Sequence, residues 1–117
     1  MDCRRRACHE AGHAVVVHAL GAQLLRLTLV WRVGVWEAAV TYRWPAALPP
    51  SERALLNAVV GVAGPMGEGT LCQGVLAHGR EGDYAGARDA LAPLATDQEG
   101  RRFLLGAAEG KAGCLLA

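Results

Sequence analysis

Residues 9 to 13 read His-Glu-Ala-Gly-His, and they lie inside a stretch whose apolar residues recur at helical spacing. Ala7, Ala11, Ala14, Val15 and Ala19 give that spacing, and Gly21 is a natural stop, so a helix is expected from about residue 2 to 20. On such a helix, residues four apart lie about 40° from one another around the axis, so His9 and His13 share one face, one turn apart. The fold must therefore bury or partner two imidazoles side by side. His18 falls about 180° around from His9, on the opposite face, and is expected to be a surface or partly buried residue with no such role.

Two imidazoles at this separation suit one tetrahedral zinc ion, the chemistry of the HExxH pattern. Glu10 is turned about 100° from His9, so it flanks the metal instead of ligating it. There it can take a proton from zinc-bound water and pass it to a leaving amine. His9 and His13 are the expected metal ligands, Zn2+ the cofactor and Glu10 the general base of peptide hydrolysis. A third protein ligand is required, with the fourth position left for water. Positions 16 and 19 are Val and Ala, so the HExxHxxGxxH extension is absent and the ligand must come from later in the chain. His78, Asp83, Glu68, Glu81, Cys8 and Cys72 are the candidates, and spacing does not choose among them.

Past Gly21, Leu25, Leu27, Leu29 and Trp31 alternate with Arg26, Thr28, Val30 and Arg32. That period of two, with Gly34 near its middle, predicts antiparallel strands at about 25–32 and 36–44. Residues 45–50 form a linker. Ser51 is expected to cap a helix running to about Cys72 despite Gly61, Gly64 and Pro65. Residues 74–82 read as a loop, from which His78 or Arg80 can touch substrate; helices follow at 83–94 and about 97–113. The fold class expected is α+β and mostly helical: a zincin-like HExxH helix, a two-stranded hairpin and a bundle of about three further helices. Trp31, Trp36 and Trp44 lie in or beside the hairpin and are expected to fill the core or an oligomer interface. The competing expectation is an edge strand that binds an extended peptide by β-augmentation.

Hydrophobic residues make up 52% of the 117 and charged residues 20%, enough apolar surface for one packed domain spanning 1–117. The net charge of +1 gives no field toward nucleic acid or an anionic membrane. Eleven of the twelve basic residues are Arg, as in GC-rich coding, and carry little functional weight. No apolar run approaches a membrane span, and no signal peptide is evident, so a soluble, cytoplasmic protein is expected. Cys3, Cys8, Cys72 and Cys114 form no CxxC pair and read as free thiols. Ser51 is the only serine, which leaves little room for a serine hydrolase.

His9-Glu10-Ala11-Gly12-His13-Ala14-Val15, followed by Leu25-Arg26-Leu27-Thr28-Leu29-Val30, resembles the peptidase domain of FtsH-type AAA+ zinc proteases. There a HEAGHA helix precedes a strand of the "KVTI" kind. Residues 62–68, Val-Ala-Gly-Pro-Met-Gly-Glu, are similar to the family's "GGRAAEE" helix, with Pro65 and Met66 in place of Arg and Ala. Residues 82–88 resemble its "NDLxxAT" segment, with Gly82 in place of Asn. The resemblance covers about residues 7–95. It implies that Asp83, at the start of a helix, is the third zinc ligand, and that Glu68 supports the site or is the alternative ligand. It further implies a bacterial metallopeptidase acting on peptide or unfolded protein. The chain holds no Walker motif, so an AAA+ ATPase would be a separate partner, and a homo-oligomer is the family's habit. A zinc-binding regulatory or interaction domain that keeps the fold without hydrolysis is the alternative.

Overall fold

A computed structural model describes residues 3–71 and 77–117, with side chains at 3–70 and 81–117. The element order is α1 (Cys3–Ala19), β1 (Gln23–Arg32), β2 (Val35–Arg43), α2 (Pro50–Leu71), α3 (Ala77–Leu91), a 3-10 turn (Ala92–Leu94) and α4 (Gln98–Leu116). The fold is α+β and mostly helical, with one antiparallel hairpin and four α-helices among the described residues, as the periodicities predict.

Helix α1 stops in a Schellman motif: the Gly21 N–H donates to His18 O and the Ala22 N–H to Val17 O. Gly21 takes the left-handed conformation this needs, at φ 85°. The buried residues of α1 are His9, Glu10, Gly12, His13, Val16 and Val17. The small apolar residues that give the helical spacing lie elsewhere: Val15 is 49% exposed, and Ala7 and Ala19 are also exposed. The helix turns His9, Glu10 and His13 inward together with Gly12, Val16 and Val17.

The hairpin closes on Val33 and Gly34, both at positive φ (50° and 82°), a two-residue turn whose twist matches the flanking strands. Register runs from Gln23 opposite Arg43 to Arg32 opposite Val35, with an irregularity between Leu24 and Arg26. Strand β2 alternates, with Trp36, Ala38, Val40 and Tyr42 half-buried, whereas β1 is exposed along most of its length. Trp31 and Trp36 pack edge-to-face at 5.4 Å between centroids, with Trp31 58% exposed, so this pair is outside the core. Trp44 does pack on the core, and with Tyr42 it donates to Asn57 Oδ1 (2.7 and 2.9 Å), which fastens β2 to α2.

Helix α2 is the centre of the molecule, packed against α1, α3 and α4. It runs through Pro65 without ending and buries Ala58, Val62 and Ala63 completely. It starts at Pro50, so Ser51 lies in the first turn and does not precede it; proline suits the first helical position, where its missing N–H has no partner to lose. At the crossing of α1 and α2 the backbones almost touch: a Cβ on Gly12 would stand 2.3 Å from Ala63 O, and one on Gly67 2.9 Å from Gly12 Cα. Small residues at this crossing bring the two helices together.

The expected loop at 74–82 is helical from Ala77 onward, while 74–76, like Cys72, lie outside the described residues. Asp83 therefore sits in the second turn of α3 and not at its start. Gly79 and Gly82 suggested a break, but a helical glycine costs only about 1 kcal/mol relative to alanine. Packing of α3 against α2, with Tyr84, Ala87 and Leu91 buried, outweighs that. The side chains of His78 and Arg80 lie outside the described ones, so their expected contact with substrate has no structural counterpart. Helix α4 begins where expected, with Asp97 Oδ1 accepting from the Gly100 N–H at 2.6 Å.

Candidate metal centre

His9, Glu10 and His13 are buried, at 2%, 5% and 9% exposure. One ligand atom of each lies within 4.8 Å of the others, so the three form a buried group that can hold a metal ion. It is the one such group among the described residues. Each imidazole is oriented through its Nδ1. His13 Nδ1 donates to the buried Val60 carbonyl of α2 at 2.7 Å. His9 Nδ1 is 3.1 Å from Glu68 Oε2, and Glu68, wholly buried, also meets Arg5 Nη1 at 3.2 Å. With the proton held on Nδ1 in both rings, each Nε2 presents a lone pair inward, the orientation that metal-binding histidines receive from such partners.

Asp83 completes the convergence from α3. Its Oδ2 is in contact with His9 Nε2 and lies 3.3 Å from His13 Nε2. Two imine nitrogens and a carboxylate oxygen are then all lone-pair donors aimed at one point. Such a set is repulsive unless a proton or a cation sits among them. In the metal-free chain a proton serves. Burial lowers the His9 pKa, but hydrogen bonds to Asp83 and Glu68 outweigh it and hold the imidazole above its usual 6.5. Burial raises the Asp83 carboxyl, yet hydrogen bonds to His13 and His9 and their charge bring it down to about 2.

Gly64 makes room for this. A Cβ there would stand 2.3 Å from His13 Nε2 and 2.7 Å from His9 Nε2, inside the space the two nitrogens face. Nothing but glycine at 64 lets α2 back the site. The donor set, nitrogen and carboxylate oxygen with oriented rings, fits a borderline ion such as zinc better than an oxygen-seeking cation such as Ca2+ or Mg2+.

The group opens onto a cavity of about 730 Å³ between α1, β2, α2 and α3. His9, Glu10, His13 and Asp83 line one side, and Val40 and Tyr42 of β2 line another. Of the expected site residues, the structure thus brings together His9, Glu10, His13 and Asp83, with Glu68 behind His9. Glu68 meets the nitrogen of His9 that faces away from Asp83, so it supports the ring and is not placed to share a ligand position with Asp83. Glu81 is exposed, and Cys8 is half-buried outside the group. His18 is exposed, as its angle on the helix predicts.

Three participants were not anticipated from the residues: Gly64, the Val60 carbonyl and Arg6. A backbone carbonyl carries no sequence signal. Gly64 had one, since a glycine inside a helical pattern marks a close approach. Arg6 had another, because 6, 9, 10 and 13 follow the i, i+3, i+4, i+7 stripe of one helix face.

Comparison with protein-family models, curated proteins and solved structures returned no match to this chain. Among the described residues, no helix is long and apolar enough to cross a membrane.

Proposed function

We propose that the chain is a zinc-dependent metallopeptidase, with His9, His13 and Asp83 as ligands and Glu10 as general base. The observation that carries this reading is the convergence of His9 Nε2, His13 Nε2 and Asp83 Oδ2 beside a buried Glu10, at the wall of an open cavity. Asp83 is assigned to the metal because it touches both imine nitrogens, whereas the Glu10 carboxylate is turned toward Arg6, at 3.8 Å. When bound, zinc supplies a Lewis acid that brings the pKa of water to roughly 7 and polarises a carbonyl.

The residues' own parts follow. Glu10 accepts a proton on its carboxylate and delivers it to the departing amine nitrogen. Glu68 and the Val60 carbonyl hold the two rings in one tautomer, so that Nε2 stays free to ligate. The resemblance of the HEAGHA and Asp83 segments to FtsH-type zinc proteases supports peptide or unfolded protein as the substrate, and a separately encoded ATPase as a partner.

The test is a pair of variants of the purified chain. One zinc per chain is expected, lost in His13→Ala. Glu10→Gln should retain the metal while peptide cleavage disappears. Zinc present in the wild type without cleavage of any unfolded protein would instead assign a non-hydrolytic zinc-binding role.

A further inference from the structure

Among the described side chains Arg6 is the one Arg or Lys that lines the cavity, and few of its donors meet a protein acceptor. Its Nε is buried with no hydrogen-bond partner. Its Nη2 makes one long contact, 3.5 Å to the Ala38 carbonyl of β2. The nearest charge is Glu10, 3.8 Å from Nε and beyond hydrogen-bonding distance. A guanidinium carries five N–H donors in a planar fork that matches a carboxylate with two parallel bonds. Leaving the Nε–H buried and unpaired is unfavourable, and the side chain as a whole is only 24% exposed, so an acceptor arriving in the cavity would satisfy it. The stripe of Arg6, His9, Glu10 and His13 puts that fork one turn along α1 from the metal-binding group, on the same face and in the same cavity.

We propose that Arg6 is a carboxylate receptor, so that the preferred substrate of the site carries a carboxylate close to the bond that is cut. This rests on the hydrolytic reading above and adds a substrate class to it. The neighbours agree: the walls offer the small residues Ala38, Ala39, Gly82 and Gly86, and no other Arg or Lys. The space suits a short, small-residue peptide end or an acidic side chain. Arg6 binds and orients the ligand, and the proton transfers stay with Glu10.

The experiment reads binding without turnover, on zinc-loaded Glu10→Gln protein, by calorimetric titration. Three probes are used: N-acetyl-trialanine with a free carboxylate, the same peptide as its amide, and N-acetyl-Ala-Ala-Asp amide. The free acid should bind about tenfold or more tightly than the neutral amide, as a charge-assisted pair provides. The aspartyl amide separates the two sources of the carboxylate: tight binding assigns a side chain, and weak binding assigns the chain terminus. Adding Arg6→Gln should remove the preference, weakening the free acid by about tenfold or more and the neutral amide by much less. Arg6→Lys, which keeps the charge without the fork, should keep a smaller preference and serves if Arg6→Gln does not fold.

A preference that survives intact in both Arg6 variants would mean that the carboxylate sits on the metal, and would overturn the proposal. So would an equal loss for acid and amide, which marks a merely structural arginine. If wild-type protein cleaves no peptide but the Arg6-dependent preference appears, the receptor stands and the peptidase reading falls. If peptides are cleaved without any such preference, the reverse holds.

Discussion

Substituting Gly64 by alanine puts one methyl group where the two imine nitrogens converge. Its Cβ would stand 2.3 Å from His13 Nε2, 2.5 Å from His13 Cε1 and 2.7 Å from His9 Nε2, whereas ordinary contact begins at 3.4 Å. Both rings must retreat by about 1 Å. Ligand distances in metal sites are held to about 0.2 Å, so that displacement removes both histidines from ligation. Disturbing a mere supporting contact lowers metal affinity by about 10–100-fold, and losing two ligands must exceed that. The fold fares better. Alanine gains about 1 kcal/mol in helix propensity, against about 1–3 kcal/mol for overpacking, a net loss of at most about 2 kcal/mol. Zinc affinity measured by competition with a chromophoric chelator, beside thermal unfolding, separates the two effects. Gly82→Ala, where nothing lies within 4 Å of the new Cβ, is the control and should bind zinc normally. A Gly64→Ala protein that binds zinc as tightly as wild type would refute the geometry.

Glu68→Gln removes the charge that holds His9 Nδ1 and faces Arg5, so zinc affinity should drop about 10–100-fold by chelator competition. In metal-free protein, Asp83 stabilises the fold above its unfolded pKa of 3.8 and loses that contribution as pH falls toward 2. His9, raised in the folded state, contributes fully below 6.5 and loses that contribution as pH rises through its folded value. Urea unfolding should therefore show metal-free stability greatest between about pH 4 and 6.5. With zinc bound, stability should rise from pH 6 to 8, because protons no longer compete for Nε2; a metal-free protein that also gains stability over that range would count against the protonated pair. Val33→Asn relieves a β-branched residue at φ 50° and should raise the unfolding free energy by about 1 kcal/mol, with no effect on metal binding.

The local pattern carried much of the fold. The alternation of Leu25 to Trp31 and the spacing around residues 9–13 identify the hairpin and α1, because strand and helix periods are properties of neighbouring residues. Helix α3 was harder to read. Gly79 and Gly82 weaken its first two turns, and its stability comes from α2, an element not adjacent in local pattern. The inward face of α1 was also hidden, because hydrophobicity points to the alanines while the structure buries the ionisable stripe. In the site, His9, Glu10 and His13 are legible from their four-residue spacing. Asp83 was one candidate ligand among six, and only the family resemblance selected it, since 70 residues separate it from His13 and no local rule joins them. The Val60 carbonyl and the space at Gly64 depend on how α2 crosses α1, which composition does not report. Arg6 could have been found by extending the same helical stripe one turn back.

The central claim is that His9, His13 and Asp83 bind one zinc ion with Glu10 beside it. Anomalous scattering recorded on both sides of the zinc edge, from crystals of zinc-loaded protein, tests it most directly. One peak is predicted, about 2.0–2.2 Å from His9 Nε2, His13 Nε2 and an Asp83 carboxylate oxygen. A peak bound by Glu10, Glu68 or a cysteine in place of Asp83, or no peak between the two histidines, would contradict it.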